Sequence, residues 1–338
     1  MTQLSIFMPS NRSFKASRSA IESALRYAEK ADCRFILSDN SGDPEKRRQF
    51  EHCSARMTYV VPPNDDALLN HMTALAQVET PFLMPMGDDD EIYLLDGEPR
   101  TDLAELAPDV IALRPRTHIW TVEKGVLQTE RFAILSADAG DRLLEYNDKT
   151  QGNNSIYYSL YRTEPFRDLS RLFVDHHPTR GGYCDWSLSF ALIASGRVLY
   201  DPATLYRYDL GRWAKGQSLT DTKALLYRQV GLRDEAEHYA ALLRYIDVDC
   251  FLEANFLPLT PAMRQSAKAM NARIALGTFL RKVMAEPQRY DADVPGIAEA
   301  IGRTTDLSAV FAQCLPLVDR LSPGLGDRYV RFRRAASN

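Results

Sequence analysis

No CxxC pair occurs in this sequence. Its five cysteines, Cys33, Cys53, Cys184, Cys250 and Cys314, are scattered and odd in number. That excludes a zinc ribbon, argues against a disulfide framework and suits a reducing compartment. No apolar run approaches the roughly 20 residues that a spanning helix needs. Basic charge is not in excess either. The net charge is −4, which leaves no global electrostatic case for a nucleic-acid partner. The opening "MTQLSIFMPSNRSF" has no basic stretch ahead of a long apolar one and does not read as a signal peptide. Internal repeats and low-complexity tracts are missing. These absences together lead us to expect a cytoplasmic protein.

What is present is an ordinary globular composition, 45% hydrophobic and 25% charged over 338 residues. That length suits two domains, or one large domain with an appendix, and a substantial core. In the first half short apolar runs alternate with amphipathic ones. "LSIFM" (4–8), "RFILS" (34–38), "MTYVV" (57–61) and "PFLMP" (81–85) suit buried strands. Between them, 17–30 carries Ala20, Ile21, Ala24, Leu25 and Ala28 at helical spacing. "DPEKRRQFEHC" suits a polar helix, and 66–78 a third. Such alternation predicts an α/β fold with a mostly parallel, Rossmann-like sheet and helices on both faces. Polar clusters follow each strand: "PSNR", "DNSGD", "PPNDD" and "GDDD". Ligand crevices of open parallel sheets lie at those carboxyl ends, so four clusters imply one site.

Further on, 109–115 and 155–162 suit strands, 117–135 a β segment with a Gly turn, and "CDWSLSFALIAS" a helix closed by Gly196 before the strand "RVLYDP". From about 219 the pattern turns helical through "LTDTKALLYRQVGLRDEAEHYAALLRYI". Thr260 is placed as an N-cap ahead of Pro261. Pro316 is expected to kink a last helical pattern or end it early. We therefore expect a domain at 1–215 and a helical region at 216–338.

The segment "MPMGDDDEIYLL" (84–95) holds three adjacent carboxylates, Asp88, Asp89 and Asp90, directly after a strand, with Gly87 allowing a tight turn. Adjacent like charges repel, and a hard divalent cation makes use of them, because it prefers oxygen ligands together with substrate phosphates. The ordered set "MPSNRSF", "ILSDNSGD" and "LLNHMTALAQVETPFLMPMGDDD" resembles the family 2 glycosyltransferases of the GT-A fold, over roughly residues 4–210. The opening loop departs from the family in being short and lacking an aromatic residue.

The resemblance implies an inverting, non-processive transferase that takes a sugar from a nucleotide-sugar donor, most simply a UDP-sugar. The acceptor would be a glycan or lipid-linked molecule in surface polysaccharide synthesis. It also implies roles. Pro9, Ser10, Asn11 and Arg12 would lie against the nucleotide. Asp39 would accept from uracil N3–H, Asn70 would face the ribose or diphosphate, Asp88 would approach the ribose, and Asp89 would belong to the donor-binding set. Asp90 would bind Mn²⁺ or Mg²⁺ at the diphosphate. Asp185, in "GGYCDWSLSF", matches the family's catalytic base, and it also suits a helix N-cap. In "LYRYDLGRWAKGQS", Arg207 and Arg212 would clamp the diphosphate, or the loop is a solvated linker.

Other features are less specific. His176–His177 lacks a third ligand at recognisable spacing and reads as a loop pair. His71, His118 and Trp120 suit packing or a sugar contact. Segment 145–162, dense in Asn, Gln and Tyr, offers hydrogen bonds to an acceptor. The tail "GDRYVRFRRAASN" is either a frayed terminus or a peripheral membrane contact. Two competing readings remain. A sugar nucleotidylyltransferase usually needs a Gly-rich first loop, which "MPSNRSFKASR" lacks. A catalytically inactive binding module would have lost Asp90 or Asp185, and both are present.

Overall fold

The computed structural model describes residues 2–150, 152–211 and 217–338. The strands are β1 (Leu4–Ser10), β2 (Arg34–Asp39), β3 (Met57–Val60), β4 (Phe82–Pro85), β5 (Glu91–Leu94), β6 (Val110–Thr121), β7 (Gly125–Glu130), β8 (Leu160–Arg162) and β9 (Arg197–Asp209). The helices of the first half are α1 (Phe14–Ala31), α2 (Pro44–Phe50), α3 (Ala67–Ala76), α4 (Ala139–Lys149), α5 (Thr163–His176) and α6 (Asp185–Ser195). The rest are α7 (Gln217–Gln229), α8 (Ala240–Phe251), α9 (Pro261–Asn271), α10 (Gly277–Ala285), α11 (Val294–Arg303), α12 (Leu307–Asp319) and α13 (Leu325–Ala336). The chain forms two compact units. One comprises Met1–Leu135, Ser155–Arg167 and Arg197–Gly211. The other comprises Ser136–Asn154, Asp168–Gly196 and Arg212–Asn338.

The first unit is built on one sheet in the order β3-β2-β1-β4-β8-β6-β9-β5, with β7 added on β6. The four strands expected from the sequence, β3, β2, β1 and β4, run parallel, as do β6 and β9. The short β8 is antiparallel to both its neighbours and joins the two parallel sets. Alternation along β1 decides what each face buries. Leu4, Ile6 and Met8 join Phe35, Leu37 and Met84 against Ile21, Ala24 and Ala28 of α1. Phe7 points to the opposite face, where it meets His71 of α3 at 5.2 Å and Phe166 at 5.9 Å, both edge-on. His71 is thus a packing residue, and burial lowers its pKa to about 4.

The second unit is helical. Thr260 caps α9 as expected, accepting from Met263 N at 3.2 Å. One expectation is corrected and one is narrowed. The helix expected from 219 is interrupted at Gly231, which has φ +74°, and resumes as α8. Helix α12 runs through Pro316, so of the two outcomes expected there, a kink or an early end, the early end does not occur. Segment 155–162 is a strand only over its last three residues. Its first part is a 3-10 turn, held by Ser159 and Tyr161 hydroxyls that donate to the Ile156 carbonyl at 2.7 and 2.6 Å. The basic tail is α13, with Tyr329 and Phe332 buried. Arg333 donates to Glu253 at 2.7 Å and lies over the Phe311 ring, so its charge is used internally, whereas Arg331 and Arg334 are exposed. No helix among the described residues is long and apolar enough to cross a membrane.

Phe7 is fully buried between its sheet and α3. Phe7→Ala should therefore cost about 3–5 kcal/mol of stability, read as a lowered midpoint in urea denaturation with an unchanged slope.

Candidate active site

The parallel register aligns the carboxyl ends of the first strands. Ser10, the last residue of β1, pairs with Asp39, the last of β2, and Phe7 pairs with Pro85 at the end of β4. The polar loops that follow are thereby brought to one edge. Asp43 ties two of them together. One of its oxygens accepts from Phe14 N at the start of α1, and the other caps α2 through Glu45 N and Lys46 N.

Asp88 organises the loop after β1. Its two oxygens accept from Ser10 Oγ (2.7 Å), Asn11 N (3.2 Å), Arg12 N (3.2 Å) and Arg12 Nε (3.0 Å). The other arm of Arg12 donates to Asp89. Pro9 sits in β1 opposite Ser38. Asn70 on α3 reaches the same strand ends: oriented to satisfy both ends of its amide, it donates to Ser38 Oγ at 2.6 Å and the Ser38 carbonyl at 2.9 Å and accepts from Ser10 N at 3.3 Å.

Asp90 lies deeper, 1% exposed. Its carboxyl accepts from the Tyr206 hydroxyl at 2.6 Å and from Asp209 N at 2.7 Å, both on β9. Burial, with the charges of Asp89 and Asp209 adding to it, pushes its pKa well above the carboxylate range. The turn is tight enough that a Cβ on Gly87 would stand 2.7 Å from Asp90 Oδ2 and 3.0 Å from Asp89 Oδ1. Tyr158 stacks on Tyr206 at 5.2 Å and closes the apolar side. Asp88, Asp89 and Asp209 thus lie close enough to the Arg12 guanidinium to raise its pKa, and Asp89 and Asp209 in turn act on Asp90. This surplus of carboxylate oxygens fits a hard divalent cation.

Asp39 is 4% exposed. Lys46 Nζ (2.9 Å) and Ser41 N (3.0 Å) donate to one oxygen and the Tyr59 hydroxyl to the other. Burial raises its pKa, but these donors outweigh it, and the carboxyl titrates below its ordinary value. With three donors in place, one lone-pair direction remains for a ligand. Lys46, fully buried, also holds Ser10 Oγ at 2.5 Å and the Arg12 carbonyl at 3.0 Å. Arg207 donates to Glu91 at 2.5 Å and lies 3.9 Å from the Trp120 ring centroid. Arg212 falls outside the described residues.

In the second unit, Asp185 is the first residue of α6, and Cys184 holds the N-cap position without a side-chain cap. The Asp185 carboxyl accepts from its neighbour's backbone, Trp186 N, at 2.8 Å and from Asn154 Nδ2 at 3.0 Å. Asn154 in turn accepts from the buried Tyr146 hydroxyl at 2.7 Å. Burial lifts the Asp185 pKa to about 6 against these hydrogen bonds. A carboxyl poised near neutrality is suited to proton transfer.

Sequence reasoning missed Lys46, Tyr59, Tyr206 and Asp209, and it placed Asn154 only within the segment 145–162 expected to meet an acceptor. Lys46 stands in "PEKRRQ", where a solvated face is the natural reading. A usable signal was Asp43-Pro44, which starts α2 and turns its third residue back toward the β1 loop.

Two outcomes follow from these geometries. Asp39→Ala leaves the Lys46 ammonium buried without its anion and should cost about 3–5 kcal/mol. Adding Lys46→Met should restore most of that in urea denaturation. Asp185 holds its proton more tightly folded than unfolded. Its contribution to stability is therefore fully present below the unfolded value of about 3.9 and is lost as pH rises through about 6. Relative to Asp185→Asn, the wild type should lose up to about 2–3 kcal/mol between pH 4 and 7, measured by denaturation at both pH values.

No protein-family model matches the chain, and no curated protein matches it. Among solved structures, S. aureus TarS 1–349 aligns at a TM-score of 0.46 and 13% identity, covering 99% of this chain and 89% of that one. The same protein in complex with UDP-GlcNAc gives a TM-score of 0.47 and 14% identity, covering 99% and 90%. Its complex with UDP gives 0.42 and 15%, with the same coverage. These TM-scores lie below 0.5, and no residue role assigned to this chain rests on them.

Proposed function

We propose that the chain is a nucleotide-sugar glycosyltransferase, with a UDP-sugar as the simplest donor, and that residues 1–215 form its catalytic domain. One observation carries this reading. The carboxyl edge of a parallel sheet brings Asp88, Asp89 and Asp209 to the Arg12 guanidinium and sets Asp90 beside Asp89 and Asp209, next to a loop ordered by the Asn11 and Arg12 N–H groups that donate to Asp88. A nucleoside diphosphate bridged by a divalent cation complements that charge pattern.

Asp90, with Asp89 beside it, would hold Mn²⁺ or Mg²⁺. When bound, the cation offsets the charge that develops on the departing diphosphate. Arg12 fixes Asp88 and Asp89 and so keeps the β1 loop in place for the donor. Asp39, Lys46 and Asn70 support that loop from behind. Asp185 takes the proton from the acceptor hydroxyl, and its pKa of about 6 leaves it ionised at neutral pH. The acceptor would be a glycan or a lipid-linked sugar.

The test is release of UDP from a panel of UDP-sugars by the full chain with Mn²⁺, compared with chelator. Metal-dependent release supports the reading. Formation of a nucleoside triphosphate from pyrophosphate would favour a nucleotidylyltransferase. Silence with every donor, together with no UDP binding in calorimetry, would leave an inactive binding module. For the metal, UDP should bind about 10-fold or more tighter with Mn²⁺, equivalent to 1.4 kcal/mol. Asp90→Asn should remove that gain without lowering the melting temperature. A wild-type metal effect in the variant would take Asp90 out of the site.

A further inference from the structure

Within the second unit a fully buried carboxylate, Asp247 of α8, has no cation against it among the described residues. Four neutral groups surround it instead. His177 Nε2 lies 2.9 Å and the Tyr329 hydroxyl 2.7 Å from Oδ1, while Cys184 Sγ lies 3.6 Å and Ser187 Oγ 3.5 Å from Oδ2. His177, Cys184 and Asp247 are ligand types for zinc, and their ligand atoms lie within 4.8 Å of one another. The histidine tautomer argues against a metal. His177 Nδ1 faces two backbone donors, Thr179 N at 3.3 Å and Arg180 N at 3.0 Å. Backbone N–H groups only donate, so Nδ1 is the acceptor and Nε2 carries the hydrogen. A metal on Nε2 would displace that hydrogen and leave an imidazolate.

The cluster has another use, which its position indicates. Its members stand at both ends of the loop that leads into α6. His177 opens the loop, Cys184 closes it, and Ser187 lies in the first turn of the helix. Between them the loop is tightly set. Arg180 holds a left-handed φ of +54° that a non-glycine residue adopts only when its surroundings enforce it. The Thr179 and Tyr183 hydroxyls are 2.7 Å apart. The Cys184 thiol, pushed well up by burial and then by the Asp247 charge, stays protonated and can donate. The far end of α6 is fixed as well, because Arg142 donates to the Ile193 and Ala194 carbonyls. A helix pinned at both ends presents its first residue in one orientation, and that residue is Asp185.

We propose that Asp247 is the positioning residue for Asp185: by gathering His177, Cys184, Ser187 and Tyr329 onto one buried carboxylate, it fixes the loop 177–184 and the first turn of α6, and with them the direction of the Asp185 carboxyl. The proposal rests on the assignment of Asp185 as the base. Asp247 touches no reacting atom in this scheme and acts only through Asp185.

The experiment compares Asp247→Asn, Asp185→Asn and the double variant in the full chain. Asp247→Asn keeps the volume but replaces an acceptor with a donor. It should lower kcat for transfer by about 100-fold, the scale of a 1 Å misplacement, with UDP affinity unchanged. The double variant should be no slower than Asp185→Asn. A readout free of activity is the ¹³C carboxyl titration of Asp185, assigned by its loss in Asp185→Asn. Its midpoint should leave about 6 in Asp247→Asn. If Asp247→Asn does not fold, Tyr329→Phe removes one donor and should show the same midpoint shift with a kcat loss of about 3–10-fold, since one hydrogen bond is worth roughly 0.5–1.5 kcal/mol. A folded Asp247→Asn, or Tyr329→Phe in its place, with unchanged titration and unchanged kcat overturns the proposal, as do losses that multiply in the double variant. Full transfer by Asp185→Asn overturns the base assignment instead, and the titration then still decides whether Asp247 sets the Asp185 carboxyl.

Discussion

The carboxylate of Asp88 holds the loop on which the rest of the carboxyl edge depends. A loop of three residues between β1 and α1 has few contacts of its own and would sample many conformations. Four donors from Ser10, Asn11 and Arg12 meet on Asp88 and remove that freedom. Arg12, once turned toward Asp88, also reaches Asp89, so the loop carries the cation that keeps two adjacent aspartates together. Lys46 braces the same loop from below through Ser10 Oγ and the Arg12 carbonyl, and its charge is answered by Asp39. The arrangement is one connected network, and a change at one end is felt at the other.

Charge is distributed unevenly along this edge. Asp39 has a lysine, two hydroxyl-bearing neighbours and a backbone amide close by, and it titrates below its ordinary value. Asp90 has a hydroxyl and an amide but no cation hydrogen-bonded to it among the described residues, and it titrates well above, burial being the larger cause. Two carboxylates within one site are thereby driven in opposite directions by their surroundings. The difference follows from the Lys46 ammonium, which donates to Asp39, and from the neighbouring carboxylates of Asp89 and Asp209, which act on Asp90. Asp247 adds a third solution in the helical unit: among the described residues its carboxylate is met by neutral donors and no cation.

The strand–helix alternation of the first half was legible because the strands carry short runs rich in apolar residues and α1 repeats its small residues at helical spacing. The aspartate triplet was legible because three adjacent like charges have no packing use. Segment 155–162 was not legible as a turn. Tyr and Ser suit a strand by propensity, and the hydroxyl bonds to the Ile156 carbonyl that favour the turn depend on where Tyr161 is held. Asp247, in "YIDVDC", carried a faint signal, a carboxylate inside an apolar run. Its partners lie 70, 63 and 82 residues away in the chain, and no local pattern names them.

By itself the sequence determined the class of fold, the edge of the sheet that carries polar loops and the place of the acidic triplet, because periodicity and local chemistry act over a few residues. Only the tertiary structure decided which carboxylate is paired, which is buried without a cation and which stands near neutrality. Those states depend on solvent exclusion and on groups that folding brings alongside: Lys46 to Asp39, Tyr206 and the Asp209 amide to Asp90, Asn154 to Asp185. Burial and distance set a carboxyl's proton affinity, and neither exists until the chain has folded.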